Sequence, residues 1–188
     1  MAATDAELVT RALGGSERAF REIVRRYERS IYGLIVRMIR DAPVAEDLAQ
    51  ETFLRAFTRL DTYDRRRPLA AWLFKIAHNL TVDALRRAQP ATIPYEDAGA
   101  GGGAALVDSR SPTPEEAAAG RELARALEAA IAQLRPAYRE VVLLQYREGL
   151  SQDEIAEITD LPLGTIKTYL HRARKELAVY LEAAGWAR

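Results

Sequence analysis

The sequence predicts an all-α protein made of two helical domains joined by a linker. Three observations lead there. Apolar residues recur at three- and four-residue spacing on both sides of the chain's middle, which is the period of a buried helix face. β-type alternation never runs past three or four residues. Residues 89–115 carry four Gly and four Pro and hold neither period. A structureless stretch of that length is uncommon inside one compact domain, so it reads as an acidic, flexible linker. The expected domains are therefore 1–88 and 114–188, with residues 89–113 between them.

Each helix has its own local warrant. A short helix is expected over residues 5–13, ended by Gly14-Gly15. Ser16 is placed to cap the next helix, whose buried stripe is Phe20, Ile23, Val24, Tyr27, Ile31, Leu34, Ile35 and Met38. Asp41 and Pro43 open a third helix reaching about Leu60, with Val44, Leu48, Thr52 or Phe53, and Ala56 inward. Asp61 to Arg67 reads as a polar loop. Pro68 suits the first turn of a fourth helix, with Leu69, Trp72, Leu73, Ile76, Ala77 and Leu80 on its apolar positions, ending near Ala88.

In the second half, Thr113 and Glu116 form a capping-box pattern ahead of a helix with Leu123, Leu127, Ala130, Ile131 and Leu134 as its stripe. Arg135-Pro136 breaks that helix, and Gly149 stops the one that follows. Ser151 and Glu154 repeat the capping box before a short helix, Gln152 to Ile158. A turn over Thr159 to Leu163 leads to a last helix from about Gly164 to Leu181.

Composition narrows the function classes. The 188 residues include no Cys, which removes a disulfide framework, a zinc thiolate and a cysteine nucleophile. No signal peptide and no membrane-length apolar run is visible, so a cytoplasmic protein without membrane insertion is expected. The only histidines, His78 and His171, lie far apart without neighbouring carboxylate clusters; no metal and no cofactor are expected. Net charge is zero, yet residues 1–88 hold 16 basic and 12 acidic side chains, while 89–120 hold one basic and five acidic. Local fields guide a polyanion, so a neutral total does not exclude nucleic acid.

Two stretches carry chemistry. Residues 150–177 look like a helix-turn-helix. Ala156 is small where two helices cross, and Ile155, Ile158, Leu161, Ile166 and Leu170 can wedge between them. Thr165, Lys167, Thr168, His171, Arg172 and Lys175 then lie largely off the wedge, and no acid occurs from Gly164 to Lys175. Such a helix can enter a major groove and offer donors to base edges and phosphates. Residues 61–80 mix Arg65, Arg66, Arg67 and Lys75 with Tyr63, Trp72 and Phe74. Cations beside stacking faces are what unstacked bases need.

Taken together the chain resembles the extracytoplasmic-function (ECF) sigma factors of bacterial RNA polymerase. The resemblance runs through Ala45–Ala56, Trp72–Leu80 with Asp83, Arg86 and Arg87, then Leu134–Leu144, Glu154–Ala156 and Gly164–Arg174. It covers about residues 16–88 and 114–182, with separated motifs in order. It implies a region 2 domain at 1–88 and a region 4 domain at 114–188. Glu46, Asp47, Gln50, Glu51 and Phe53 match the helix that docks the polymerase clamp. Thr62, Tyr63, Arg65, Arg66, Arg67, Trp72, Lys75 and Asn79 match the minus-ten reader, and Arg86 and Arg87 would face nearby DNA backbone. The helix residues Thr165 to Lys175 named above match the minus-thirty-five reader. His78 stands where the family usually has Arg, and Asp160 where the turn often has Gly or Asn. The implied partners are core RNA polymerase, promoter DNA and, as in many relatives, an anti-sigma factor. No active site is expected. Two rivals are a stand-alone helix-turn-helix regulator, against which the region 2 motif speaks, and a small helical enzyme, for which no catalytic constellation is present.

Overall fold

The computed structural model describes residues 3–88 and 114–186. Every described element is helical. In the first half α1 is Asp5–Leu13, α2 Glu17–Ile39, α3 Ala42–Thr58 and α4 Leu69–Ala88. In the second half α5 is Pro114–Gln133, α6 Pro136–Val142, α7 Gln152–Thr159 and α8 Leu163–Ala183. The linker and the Thr113 cap fall outside the described residues.

Local chemistry sets the helix ends. Thr4 and Glu7 bond each other's backbone N–H groups at the start of α1, and Ser151 and Glu154 do the same at α7. Ser16 caps α2 and Asp41 caps α3 through their side-chain oxygens. Gly149 takes φ +70° after the α6 segment, a conformation that costs a glycine nothing. The α6 segment is longer than its α-helical part, because one π-helical turn, Leu143–Arg147, continues it. The loop expected at 61–67 opens with a 3-10 turn, Leu60–Thr62.

Helices α2, α3 and α4 pack around Ile23, Ile31, Leu34, Leu73 and Phe74, with α1 laid across α2. Helices α6, α7 and α8 pack around Tyr138, Leu144, Ile155, Ile158 and Ile166, with α5 against α8. The halves also touch: α4 packs on α7 and α2 on α6, and buried residues from both belong to one hydrophobic cluster. The expected stripe of α5 is only half right. Ala130 and Leu134 are buried, but Leu123 and Leu127 are exposed, so only the C-terminal end of that face is covered by the core. Val44 is likewise exposed, and Thr52 and Phe53 are both inward.

Arg139 makes its part of the join through backbone carbonyls. Its guanidinium is buried and donates to the carbonyls of Ile131, Ala132 and Leu134 at the end of α5. It also donates to the carbonyls of Arg37 and Met38 at the end of α2. The final carbonyls of a helix lack intrahelical donors and carry the negative end of its dipole. One cation thus answers two helix C-termini from opposite halves of the chain.

Candidate nucleic-acid interface

The α4 helix gives the first half its mixed face. Trp72, Lys75 and Asn79 follow at three- and four-residue steps, so they share one side. Tyr63 leans on Trp72 with ring centroids 5.3 Å apart, and its hydroxyl donates to the Arg67 carbonyl. That contact shapes the loop between α3 and α4. Burial, more than the neighbouring Asp5 and Asp64 charges, raises the Tyr63 hydroxyl's pKa, so it remains a donor at neutral pH. Thr62 turns its hydroxyl back to the Arg59 carbonyl at 2.7 Å.

Each loop cation has its own setting. Arg66 is exposed and forks onto Asp64 at 3.0 Å, which holds the Asp64 carboxyl below the usual range through its side-chain bond. Arg65 reaches the Thr10 hydroxyl at 3.4 Å. Arg67 Nη1 lies 2.6 Å from Glu157 on α7. Lys75 Nζ lies 2.5 Å from the Asp160 carboxylate and 2.6 Å from the Glu157 carbonyl. Arg86 and Arg87 stand exposed in the last turn of α4. Asn79 is exposed, whereas Trp72 is half-buried and helps hold the loop.

The helix-turn-helix is built by α7 and α8. Its turn depends on Asp160, which takes φ +55° at the end of α7. Aspartate visits that region better than most residues. Lys167 and Lys175 are exposed on α8, and Thr165 and His171 are half-exposed. Arg172 is half-buried and reaches the Tyr138 hydroxyl at 3.4 Å. Thr168 is placed differently from the expectation. It is 6% exposed, and its hydroxyl donates to the Gly164 carbonyl at 2.9 Å, so it packs the helix pair.

The acidic helix α3 holds Glu46, Asp47 and Gln50 outward, with Glu51 bonded to Arg55 at 2.7 Å. Phe53 is 8% exposed and belongs to the core. The apolar surface of α3 comes instead from Leu54 and Phe57, 60% and 53% exposed. Phe57 packs edge-on to Phe20 of α2 at 4.9 Å. Together with Val24 and Tyr32 they line an open groove of about 720 Å³, rimmed by Glu17, Glu28 and Glu46. Sequence reasoning passed over Leu54 and Phe57. The signal was there, since both fall outside the inward stripe that α3 needs.

Two family descriptions match this chain: Sigma-70 region 2 over residues 23–90, and Sigma-70, region 4 over residues 124–177. Among curated relatives, the ECF RNA polymerase sigma factor SigW of Bacillus subtilis (strain 168) is 39% identical over 168 residues, 87% of this chain and 89% of the relative. The RNA polymerase sigma-H factor of Pseudomonas aeruginosa is 35% identical over 178 residues, 92% of this chain and 91% of the relative. Among solved structures, CnrH in complex with the cytosolic domain of CnrY matches with a TM-score of 0.68 and 28% identity, covering 95% of this chain and 97% of that one. With both regions matched in order on an all-helical fold, the chain belongs to the ECF sigma factors and serves promoter-specific transcription initiation.

Proposed function

We propose that this sigma factor docks core RNA polymerase through α3, opens and reads the minus-ten element with α4 and its preceding loop, and reads the minus-thirty-five element as duplex with α8. The observation that carries the reading is the alignment of Trp72, Lys75 and Asn79 on one side of α4, beside a loop bearing three arginines. An aromatic wall, an ammonium and a carboxamide can hold an unstacked base and its backbone, and a melted strand needs both. On α8, Lys167 and Lys175 supply phosphate contacts, with Thr165, His171 and Arg172 nearer the base edges. The acids and exposed apolar residues of α3 suit a basic, partly apolar partner surface. The chemistry of RNA synthesis belongs to the polymerase, so the chain acts in the cytoplasm as a binding subunit without an active site. The solved relative CnrH is bound to the cytosolic domain of CnrY, and an anti-sigma factor is the third macromolecular partner expected here, after polymerase and promoter DNA.

The test is to sequence the 5′ ends of RNA made on genomic DNA by core polymerase with and without this protein. New start sites preceded by two shared elements support the reading. Start sites with no shared upstream sequence would sink it.

A further inference from the structure

Arg172 sits at a boundary on α8. Thr168 and Tyr169, one turn before it, are buried, whereas Lys175, one turn after it, is exposed. Residues three and four apart share a helix face, so this side of α8 passes from core to solvent at Arg172. An arginine placed there can lie along the core or swing outward. Ordering such a long side chain at the moment of binding costs rotamer freedom, so an arginine already held in place binds better.

Tyr138 of α6 meets both sides of this boundary. It is 2% exposed, with its ring 5.0 Å from the Tyr169 ring and the Arg135 guanidinium 4.5 Å over its face. Its hydroxyl accepts from Arg172 Nη1 at 3.4 Å. The side chain thus touches α8 at two positions one turn apart. A tyrosine has only two side-chain torsions, and close packing leaves a buried ring little freedom. Its tip is therefore a fixed oxygen beside a flexible cation. A phenol oxygen is neutral, so it orients a guanidinium without cancelling its charge.

We propose that Tyr138 is a positioning residue for the minus-thirty-five reader. Its hydroxyl sets the plane of the Arg172 guanidinium, and base preference on the duplex then depends on a buried side chain that does not touch DNA. This rests on the duplex-reading role proposed above for Arg172. A planar fork discriminates between base edges only when its orientation is fixed, which is why the effect falls on specificity more than on total affinity.

The test uses holoenzyme made with the full chain. Its probes are the upstream duplex element mapped by 5′-end sequencing and duplexes with each base pair of that element changed singly. The variants are Tyr138→Phe, Arg172→Ala and the two together. Phe keeps the buried ring and its contact with Tyr169. The readout is the ratio of affinities for the original and changed duplexes at fixed salt, in which any loss of folded protein cancels.

Arg172→Ala should reduce discrimination at one or two base pairs by about 5- to 150-fold. Tyr138→Phe should reduce it at the same base pairs by about 2- to 10-fold, the scale of one hydrogen bond. The double variant should match Arg172→Ala alone, because the hydroxyl acts through the guanidinium. Full discrimination by Tyr138→Phe overturns the proposal. A loss equal across all duplexes overturns it too, as does a further loss of discrimination on adding Tyr138→Phe to Arg172→Ala, since either marks a role in packing alone. If Arg172→Ala reduces discrimination and Tyr138→Phe does not, the duplex reading stands and only the positioning is wrong. If Arg172→Ala leaves every ratio unchanged, the reading role of Arg172 fails and the positioning role falls with it.

Discussion

His78 Nδ1 lies 2.6 Å from the Glu140 carboxylate and joins α4 to α6 across 62 residues of sequence. The side chains are only 12% and 7% exposed. An ionised carboxylate accepts only, so the proton of this bond is assigned to the ring nitrogen. Removing one partner of a buried pair leaves the other without compensation, which costs about 3–5 kcal/mol in enclosed sites. His78→Ala should therefore lower the denaturation midpoint clearly. The double variant His78→Ala with Glu140→Ala should lose less than the sum of the singles, as contacting residues do. Strict additivity in urea melts would show that the pair contributes nothing.

Arg139 should behave as a keystone of the same join. Arg139→Ala removes donors from five carbonyls at two helix ends. Hydrogen bonds from a charged group are worth about 1.5–3 kcal/mol each at best, and water will replace some of them. A net loss of about 2–4 kcal/mol is expected, read by thermal or urea unfolding. Arg139→Lys should rescue only in part, since one ammonium cannot fork to five acceptors.

Acid should loosen the contact between α2 and α5. The Glu128 carboxyl is held below its ordinary value chiefly by its bond to Arg37, against an opposing effect of burial, with help from Arg147. A carboxyl with a lowered folded-state pKa adds stability above its unfolded value and loses it as pH falls through the folded one. Stability should thus decline as pH falls through about 4.5, where an ordinary Glu is about half protonated. Glu128→Gln should flatten that part of the profile slightly, because the side chain is 46% exposed and the pair is screened. An identical acid limb in the variant would remove Glu128 from the account.

Docking to core polymerase should depend on the exposed apolar residues of α3 as well as its acids. Leu54→Ala and Phe57→Ala should each weaken core binding about tenfold, the scale of a moderate hot spot. Stability should change little for Leu54→Ala and modestly for Phe57→Ala, whose ring also packs edge-on against Phe20. Asp47→Lys with Glu51→Lys should weaken docking through charge. Undisturbed co-elution of all these variants with core enzyme would remove α3 from the docking surface.

Strand reading and duplex reading should separate by mutation. Asn79→Ala and Arg67→Ala should cut transcription about 5- to 150-fold, the span of a 1–3 kcal/mol contact. Lys167→Ala and Lys175→Ala should instead weaken upstream duplex binding and lower its salt dependence. Arg172 is a less clean probe because it also reaches the Tyr138 hydroxyl. Normal transcription by the Asn79 and Arg67 variants, with failure of the Lys167 variant, would leave only the duplex reader.

The helices, the caps at Ser16, Asp41 and Ser151 and the turn holding Asp160 were legible in the order of residues, because each depends on atoms a few positions apart. Ser16, Asp41 and the Ser151–Glu154 box act within one turn, and Gly149 answers a local backbone demand. The residue types of the candidate site were legible too, since the need for aromatics and cations is chemical. Packing decided the rest. Helical periodicity marks an apolar face but not how far a neighbour covers it, so Leu123 and Leu127 remain exposed on α5 while Phe53 and Thr168 turn inward. Nor does any local rule pair Arg67 with Glu157 or Lys75 with Asp160, which stand 90 and 85 residues apart. Long-range ion pairs are set by which helix ends meet in space, and that meeting is a property of the whole buried surface.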